Sequence, residues 1–305
     1  MFNQATQRAI ATNEDRAVAY SLGVCVKRFS ETETEAQRLF GEGLAHLTWH
    51  GYTAWVNDVW FLTGQSDFFD KMTPEIRAAV IDNLVEIPVI DFHADEVLAS
   101  LARPDPLLLL SYFKQRLAHE NGEENSGRRY EAIPYDFHRL REVLAPVARQ
   151  VINGVREWYD ANDPLFKYRG GALVSRLYPD FPSVAAPFNE LAASAEHDNV
   201  KYVLEILRGY HGDPAILDIC KLMVAGLDPE SPLLGEVELA LDESGVISGE
   251  FGFVELYQAR RGQMEGWQKD PRANVRRFAE RRVRSLELQM RAEPGGTRTS
   301  KAAVR

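Results

Sequence analysis

Cysteine is scarce in this chain, and long apolar runs are missing. Cys25 and Cys220 are the two cysteines among 305 residues. They cannot build a disulfide framework, and each falls in an apolar helical pattern, so buried free thiols in a reducing compartment are expected. The longest apolar run, Leu107 to Leu110, spans four residues, against about 20 needed for a helix to cross a bilayer. Met1 to Phe29 carries Glu14 and Asp15 and lacks the unbroken apolar stretch of a secretory signal. A soluble, cytoplasmic protein with no membrane partner is therefore expected. The common catalytic signatures are missing as well. There is no Gly-Lys-Ser/Thr phosphate loop, no Cys-x-x-Cys, no His-Glu-x-x-His and no Gly-x-Ser-x-Gly, which removes the usual nucleotide-hydrolase, zinc-protease and α/β-hydrolase readings. No clear alternation of apolar and polar residues argues for strands.

What the chain does contain is helix punctuation. Thr73-Pro74, Asp105-Pro106, Asp163-Pro164, Asp213-Pro214, Ser231-Pro232 and Asp270-Pro271 each join a capping side chain to a proline. At a helix start the side-chain oxygen accepts from free backbone N–H groups, and proline fills a position that needs no donor. Between these signals apolar residues recur at helical spacing. They predict helices near 74–86, 93–102, 105–118, 136–160, 164–178, 183–195, 198–209, 213–227, 232–243 and 250–268. The stripe Ile216, Ile219, Cys220, Met223 and Leu227 reads as helical core. Pro146 should kink or split the helix that holds it.

Upstream, one helix is expected from about Ala5 to Phe29, with Ala9, Val18, Leu22 and Cys25 facing inward. Ser30 and Glu33 give a capping-box signal for the next, at roughly 33–62. Its Trp49, Tyr52, Trp55, Trp60 and Phe61 spread around most of the circumference, which calls for burial on several sides or for a partner. Gly41, Gly43 and Gly51 weaken it and suggest a break or close packing. The polar stretch His119 to Arg129 reads as a loop dividing a helical region at 1–118 from another at 130–293. Residues 294–305 lack apolar periodicity and are expected to form a disordered tail. Many short helices joined by short turns are the sequence form of stacked helix pairs, because one pair cannot bury its apolar face alone. The expected fold is all-α: a degenerate helical-repeat solenoid, with room for a helical subdomain at the N-terminal end.

The last helix carries the most specific pattern. Trp267 ends an apolar helix, Asp270-Pro271 turns the chain, Val275-Arg276 follows, and Ala279 comes one turn later. Val275, Ala279, Val283, Leu286 and Met290 then share one face. Over residues 250–291 this resembles the closing helix pair of a HEAT-type repeat. The resemblance implies that Asp270 and Arg276 tie successive repeats together as structural residues. The same pattern is similar to the helical ends of large bacterial multidomain proteins, defence-associated ones among them.

The formal net charge of −10 argues against nonspecific nucleic-acid binding by the whole surface. Its distribution is uneven. Ala259 to Arg305 holds 13 Lys/Arg and 5 Asp/Glu, while residues 1–258 hold 22 and 40, so an acidic body carries a basic end. Arg277, Arg281 and Arg284 are four and three apart, on one helical face away from the Val275 stripe. They are the first candidates for partner binding, and Trp49, Trp55 and Trp60 are the second.

Two constellations could hold a metal in principle. His46 and His50 are four apart and share a helix face, with Asp91, His93 and Asp95 as conceivable further ligands. Nothing in the sequence brings those segments together, and imidazoles beside Trp49 and Tyr52 suit packing with one polar edge. His197-Asp198, with His138 upstream and Asp218 downstream, resembles the pattern of all-helical metal-dependent phosphohydrolases. One such dipeptide arises readily by chance, and Asp198 reads as an N-cap ahead of Val200, Val203, Leu204 and Leu207. No metal ligand, catalytic residue or cofactor is therefore assigned. The expected function is a non-catalytic protein-interaction scaffold, or a module of a larger assembly, that binds another protein or a second copy of itself. The alternatives are that phosphohydrolase and nucleic-acid binding through the basic C-terminal helix.

Overall fold

A computed structural model describes residues 2–27, 34–61, 68–123, 130–159, 164–210, 213–242 and 252–292, and among them every regular element is a helix. The chain forms two compact units, Met1–Val155 and Arg156–Arg305. No helix among the described residues is long and apolar enough to cross a membrane. The Ser30/Glu33 signal, Asp163 and the 294–305 tail lie outside the described residues.

The first unit opens with α1 (Phe2–Ala11) and α2 (Asp15–Lys27), where the sequence predicts a single helix. Asn13 makes the break. With φ at 57° it is left-handed, and the N–H groups of Asn13 and Glu14 turn back to the carbonyls of Ile10 and Ala9. This is a helix closure that asparagine or glycine accommodates best. The second predicted helix also divides, into α3 (Thr34–Trp49) and α4 (Trp55–Trp60). Gly51, at φ 70°, closes α3 in the same way, with the N–H groups of Gly51 and Tyr52 donating to Thr48 and Leu47.

The helix α5 (Pro74–Val85) starts as its sequence predicts, with Thr73 accepting from the Ile76 N–H and Pro74 in the first position. After it come α6 (Phe92–Ala102), α7 (Leu108–Glu123), α8 (Arg139–Leu144) and α9 (Ala148–Tyr159). Pro146 splits the last two with a 3-10 turn at Ala145–Val147. From α3 to α6 each helix packs on the one two further along: α3 on α5, α4 on α6, α5 on α7 and α6 on α8.

Buried polar side chains hold the irregular connections of this unit. The Gln37 amide donates to the Lys71 carbonyl and accepts from the Thr73 N–H. Arg77 donates to the carbonyls of Phe69 and Leu101. Arg116 is fully buried, and its guanidinium donates to the carbonyls of Leu84, Val85, Ile87, Pro88, Glu131 and Ala132. Those carbonyls come from chain on both sides of residues 119–129. Arg116 thus joins chain before and after that stretch, and the two compact units part near residue 155.

The second unit contains α10 (Pro164–Leu177), α11 (Ala185–Ala193), α12 (His197–Leu207), α13 (Ala215–Gly226), α14 (Leu233–Asp242), α15 (Gly252–Trp267) and α16 (Ala273–Ala292). Asp213, Ser231 and Asp270 each accept from the backbone N–H two residues on. The intervening proline thus sits in a tight turn, and each helix begins just after it. Here too alternate helices pack, α10 on α12, α11 on α13 and α12 on α14, beside the successive pairs α11 with α12 and α13 with α14; α16 then packs on α13 and α15. The predicted stripe of α13 is buried, and α16 buries Val275, Phe278, Ala279, Arg282 and Leu286. Both cysteines are buried and in no disulfide, and burial pushes the Cys220 thiol up to about 12.

Candidate functional site

The two left-handed closures, at Asn13 and Gly51, set up the site of greatest chemical interest. The first makes Asp15 the opening residue of α2; the second leaves His50 one residue past the end of α3, a turn beyond His46. Since α2 packs on α3, the three side chains meet. Asp15 Oδ1 lies 3.0 Å from His46 Nε2 and 2.7 Å from His50 Nδ1. The imidazoles pack edge to face, with centroids 4.2 Å apart. Side-chain exposure rises from 8% at His46 to 25% at His50 and 36% at Asp15, so the trio is covered on one side and open on the other. The hydrogen bond with His50, ahead of that with His46, holds the Asp15 carboxyl below its usual range. The N-terminus of α2 also favours the carboxylate. Among the described residues, this is the group of three whose donor atoms all fall within 4.8 Å of one another.

His50 also lines a cleft of about 870 Å³, together with Thr48, Trp49, Asn83, Glu86, His119 and Tyr130. His119 Nδ1 is 3.7 Å from Glu86 Oε1, and its ring packs on Tyr130. Tyr130 in turn lies under the Arg116 guanidinium, 4.5 Å from the ring centroid. The wall of the cleft is thereby tied to the buried clamp.

The three tryptophans proposed for partner binding part company. Trp49 is 87% exposed, beside the cleft. Trp55 is 0% exposed and its indole donates to Thr48 Oγ1; α4 turns it into the core, which removes it from any partner-facing set. Trp60 is partly buried, donates to Glu96 and packs on His93. The further ligands conceivable for the histidine pair serve other ends. Asp91 caps α6. Asp95 accepts from the N–H groups of His138, Arg139 and Leu140 at the start of α8, and burial raises its pKa although these bonds pull the other way. The third donor is Asp15. It is invisible to sequence reasoning that runs one helix through positions 12–14; the signal that could have found it is Asn13, a residue that tolerates the left-handed closure.

In the second unit, His197 and Asp198 are exposed in the first turn of α12, and the helix starts one residue before Asp198, which is therefore no N-cap. Asp218 is exposed on α13. His138 belongs to the first unit, with its ring against Phe92.

Arg277, Arg281 and Arg284 are exposed on α16, but α14 answers part of their charge. Arg281 pairs with Glu238 at 2.8 Å and lies over the Phe278 ring. The buried Arg282 pairs with Asp242, as does Arg260 of α15. Arg284 lies 3.9 Å from Glu280. Asp270 binds the Arg272 guanidinium at 2.8 and 3.0 Å and Lys221 of α13 at 2.9 Å. The Arg272 contact is foremost in holding its carboxyl well below the usual range. Arg276 donates to the Asp270 and Pro271 carbonyls.

No protein-family model matches the chain, and no curated protein or solved structure matches it.

Proposed function

We propose that the chain is a HEAT-like helical module that holds another protein, or a second copy of itself, within a larger assembly. The observation that carries this reading is an alternate packing that recurs in both units, α3 on α5, α4 on α6 and α5 on α7 in the first and α10 on α12, α11 on α13 and α12 on α14 in the second, beside contacts between successive helices. Helices arranged so form rows, and a row offers an extended outer surface of the kind helical-repeat proteins use for binding. Asp270 reaches Lys221 of α13, a position that suits the repeat-tying role implied for it, whereas Arg276 bonds within its own turn. The α16 face favours a partner of acidic chemistry, and Trp49 is the kind of exposed aromatic that anchors interfaces. Two buried thiols in no disulfide support a reducing, cytoplasmic setting.

The test is affinity capture of the tagged chain from its host, beside Trp49→Ala and the triple variant Arg277→Glu, Arg281→Glu, Arg284→Glu. Charge reversal at Arg277 should cost no more than about 0.5 kcal/mol, and more at Arg281, which loses its pairing with Glu238, so the variant's fold is checked by circular dichroism; capture should weaken and its salt dependence flatten. If the wild type retains nothing beyond a tag-only control, the interaction reading fails. Steep, salt-dependent binding of nucleic acid in place of protein would favour the basic end as a nucleic-acid surface.

A further inference from the structure

We propose that Asp15, His46 and His50 form a site for one divalent transition-metal ion of the zinc class, with a remaining coordination position open to solvent. This goes beyond the interaction role and does not rest on it. The donor set selects the class: two imidazole nitrogens and one carboxylate oxygen suit zinc and its neighbours, whereas magnesium and calcium favour oxygen donors.

Two of the three ligand separations are close to those of a filled site, and the third, between the imidazole nitrogens, is within 4.8 Å. A tetrahedral ion with bonds of about 2.0–2.1 Å holds its ligands about 3.3 Å apart. Here Asp15 Oδ1 stands 3.0 Å from His46 Nε2 and 2.7 Å from His50 Nδ1. An opening of a few tenths of an ångström, roughly what side-chain rotation provides, admits the ion in place of the protons that now bridge these atoms.

The backbone beneath the donors is fixed on both sides. His46 and His50 stand one helical turn apart, with the His50 N–H donating to the His46 carbonyl. Gly51 locks that end of α3 through its left-handed closure. Asp15 sits on the first turn of α2, just after the equivalent closure at Asn13. The last carbonyls of α3 add partial negative charge beside the ion. His46 is the covered ligand and Asp15 the most open, so the vacant coordination position faces outward. Such an arrangement, three protein ligands and an open fourth position, distinguishes an accessible metal site from a closed structural one.

An ion pair of Asp15 with protonated histidines would use the same contacts, so the experiment must separate metal from proton. The full chain, stripped with a chelator, is titrated with zinc chloride and separately with cobalt chloride, alongside Asp15→Asn, His50→Ala and the control His197→Ala. Wild type and the control should each bind one equivalent of zinc, gain thermal stability from it, and give visible ligand-field bands with cobalt. Asp15→Asn, which keeps the side chain's size, and His50→Ala should each weaken zinc binding by at least about tenfold and abolish the bands. Imidazole nitrogen NMR of the wild type, with shifts at His46 and His50 on adding zinc, gives a result that depends on no variant. Absence of stoichiometric zinc uptake by the wild type overturns the proposal. So does unchanged affinity in Asp15→Asn, whose fold is verified by circular dichroism.

Discussion

The first unit buries Gln37, Arg77, Asp95 and Arg116 against backbone groups, whereas the second buries Asp270 and Arg282, both at or on its final helix. The contrast follows from the connections. In the first unit the chain runs without regular helix through positions 69–73, 86–91 and 130–138, leaving carbonyl and N–H groups, several of them buried, without helical partners. Each such group must find a partner, or it costs a sizeable desolvation penalty. Side chains projected from neighbouring helices supply those partners. In the second unit the Asp-Pro and Ser-Pro turns satisfy themselves, with the side chain accepting from the N–H two residues on. The first unit therefore adds polar clamps on distant backbone to its apolar core, whereas the second closes these turns locally.

Three substitutions can break or sharpen that contrast. Arg116→Leu should do most. It strips donors from six carbonyls at once, in four cases from buried hydrogen bonds, and should destabilise the first unit by about 3–5 kcal/mol. Native-state hydrogen exchange should then show lost protection around residues 84–132 and unchanged protection over α13 and α16. Uniform loss along the chain would mean that the units do not differ as described. Ala279→Phe probes the opposite regime. Ala279 is wholly buried on α16, so overpacking should lower stability by about 1–3 kcal/mol, with exchange quickening in the second unit; an unmoved thermal midpoint would contradict close packing there. The smallest effect concerns acid. Because the Asp270 carboxyl is held below its ordinary range, the unfolded chain takes up a proton where the folded protein does not. Its contribution is complete above roughly pH 4 and is lost as pH falls through the depressed folded value. Asp270→Asn should therefore show a flatter acid limb in melting temperature than wild type, the two curves converging at the lowest pH. Parallel curves would remove Asp270 from the polar ties of the second unit.

Much of the helix inventory was legible from residues alone, since caps and 3.6-residue spacing are local. Pro146, Thr73-Pro74 and the α13 stripe all acted as their local chemistry predicts. What escaped was set by single backbone angles and by distant neighbours. The left-handed Asn13 hid the start of α2, and with it the acid that joins two histidines already noticed. Trp55 looked like one of several surface aromatics because its burial depends on where α4 turns after Gly51. Arg116 carries no sequence signal: a basic residue in a helix ordinarily reaches solvent, and its six acceptors lie 15 to 32 residues away. The alternate packing of helices was likewise out of reach, because irregular spacing of the proline starts conceals any period.

The Arg116 clamp also bears on whether covalent continuity is needed where it stands. One guanidinium grips chain that precedes α6 and chain that follows α7, and Tyr130 closes over it while donating to the Val85 carbonyl. Two polypeptides ending and beginning between residues 123 and 130 would each bring half of that grip. The first unit is thus a natural candidate for fragment complementation: separately expressed pieces, 1–123 and 130–305, should reassemble when mixed, and should fail to do so when the first piece carries leucine in place of the arginine.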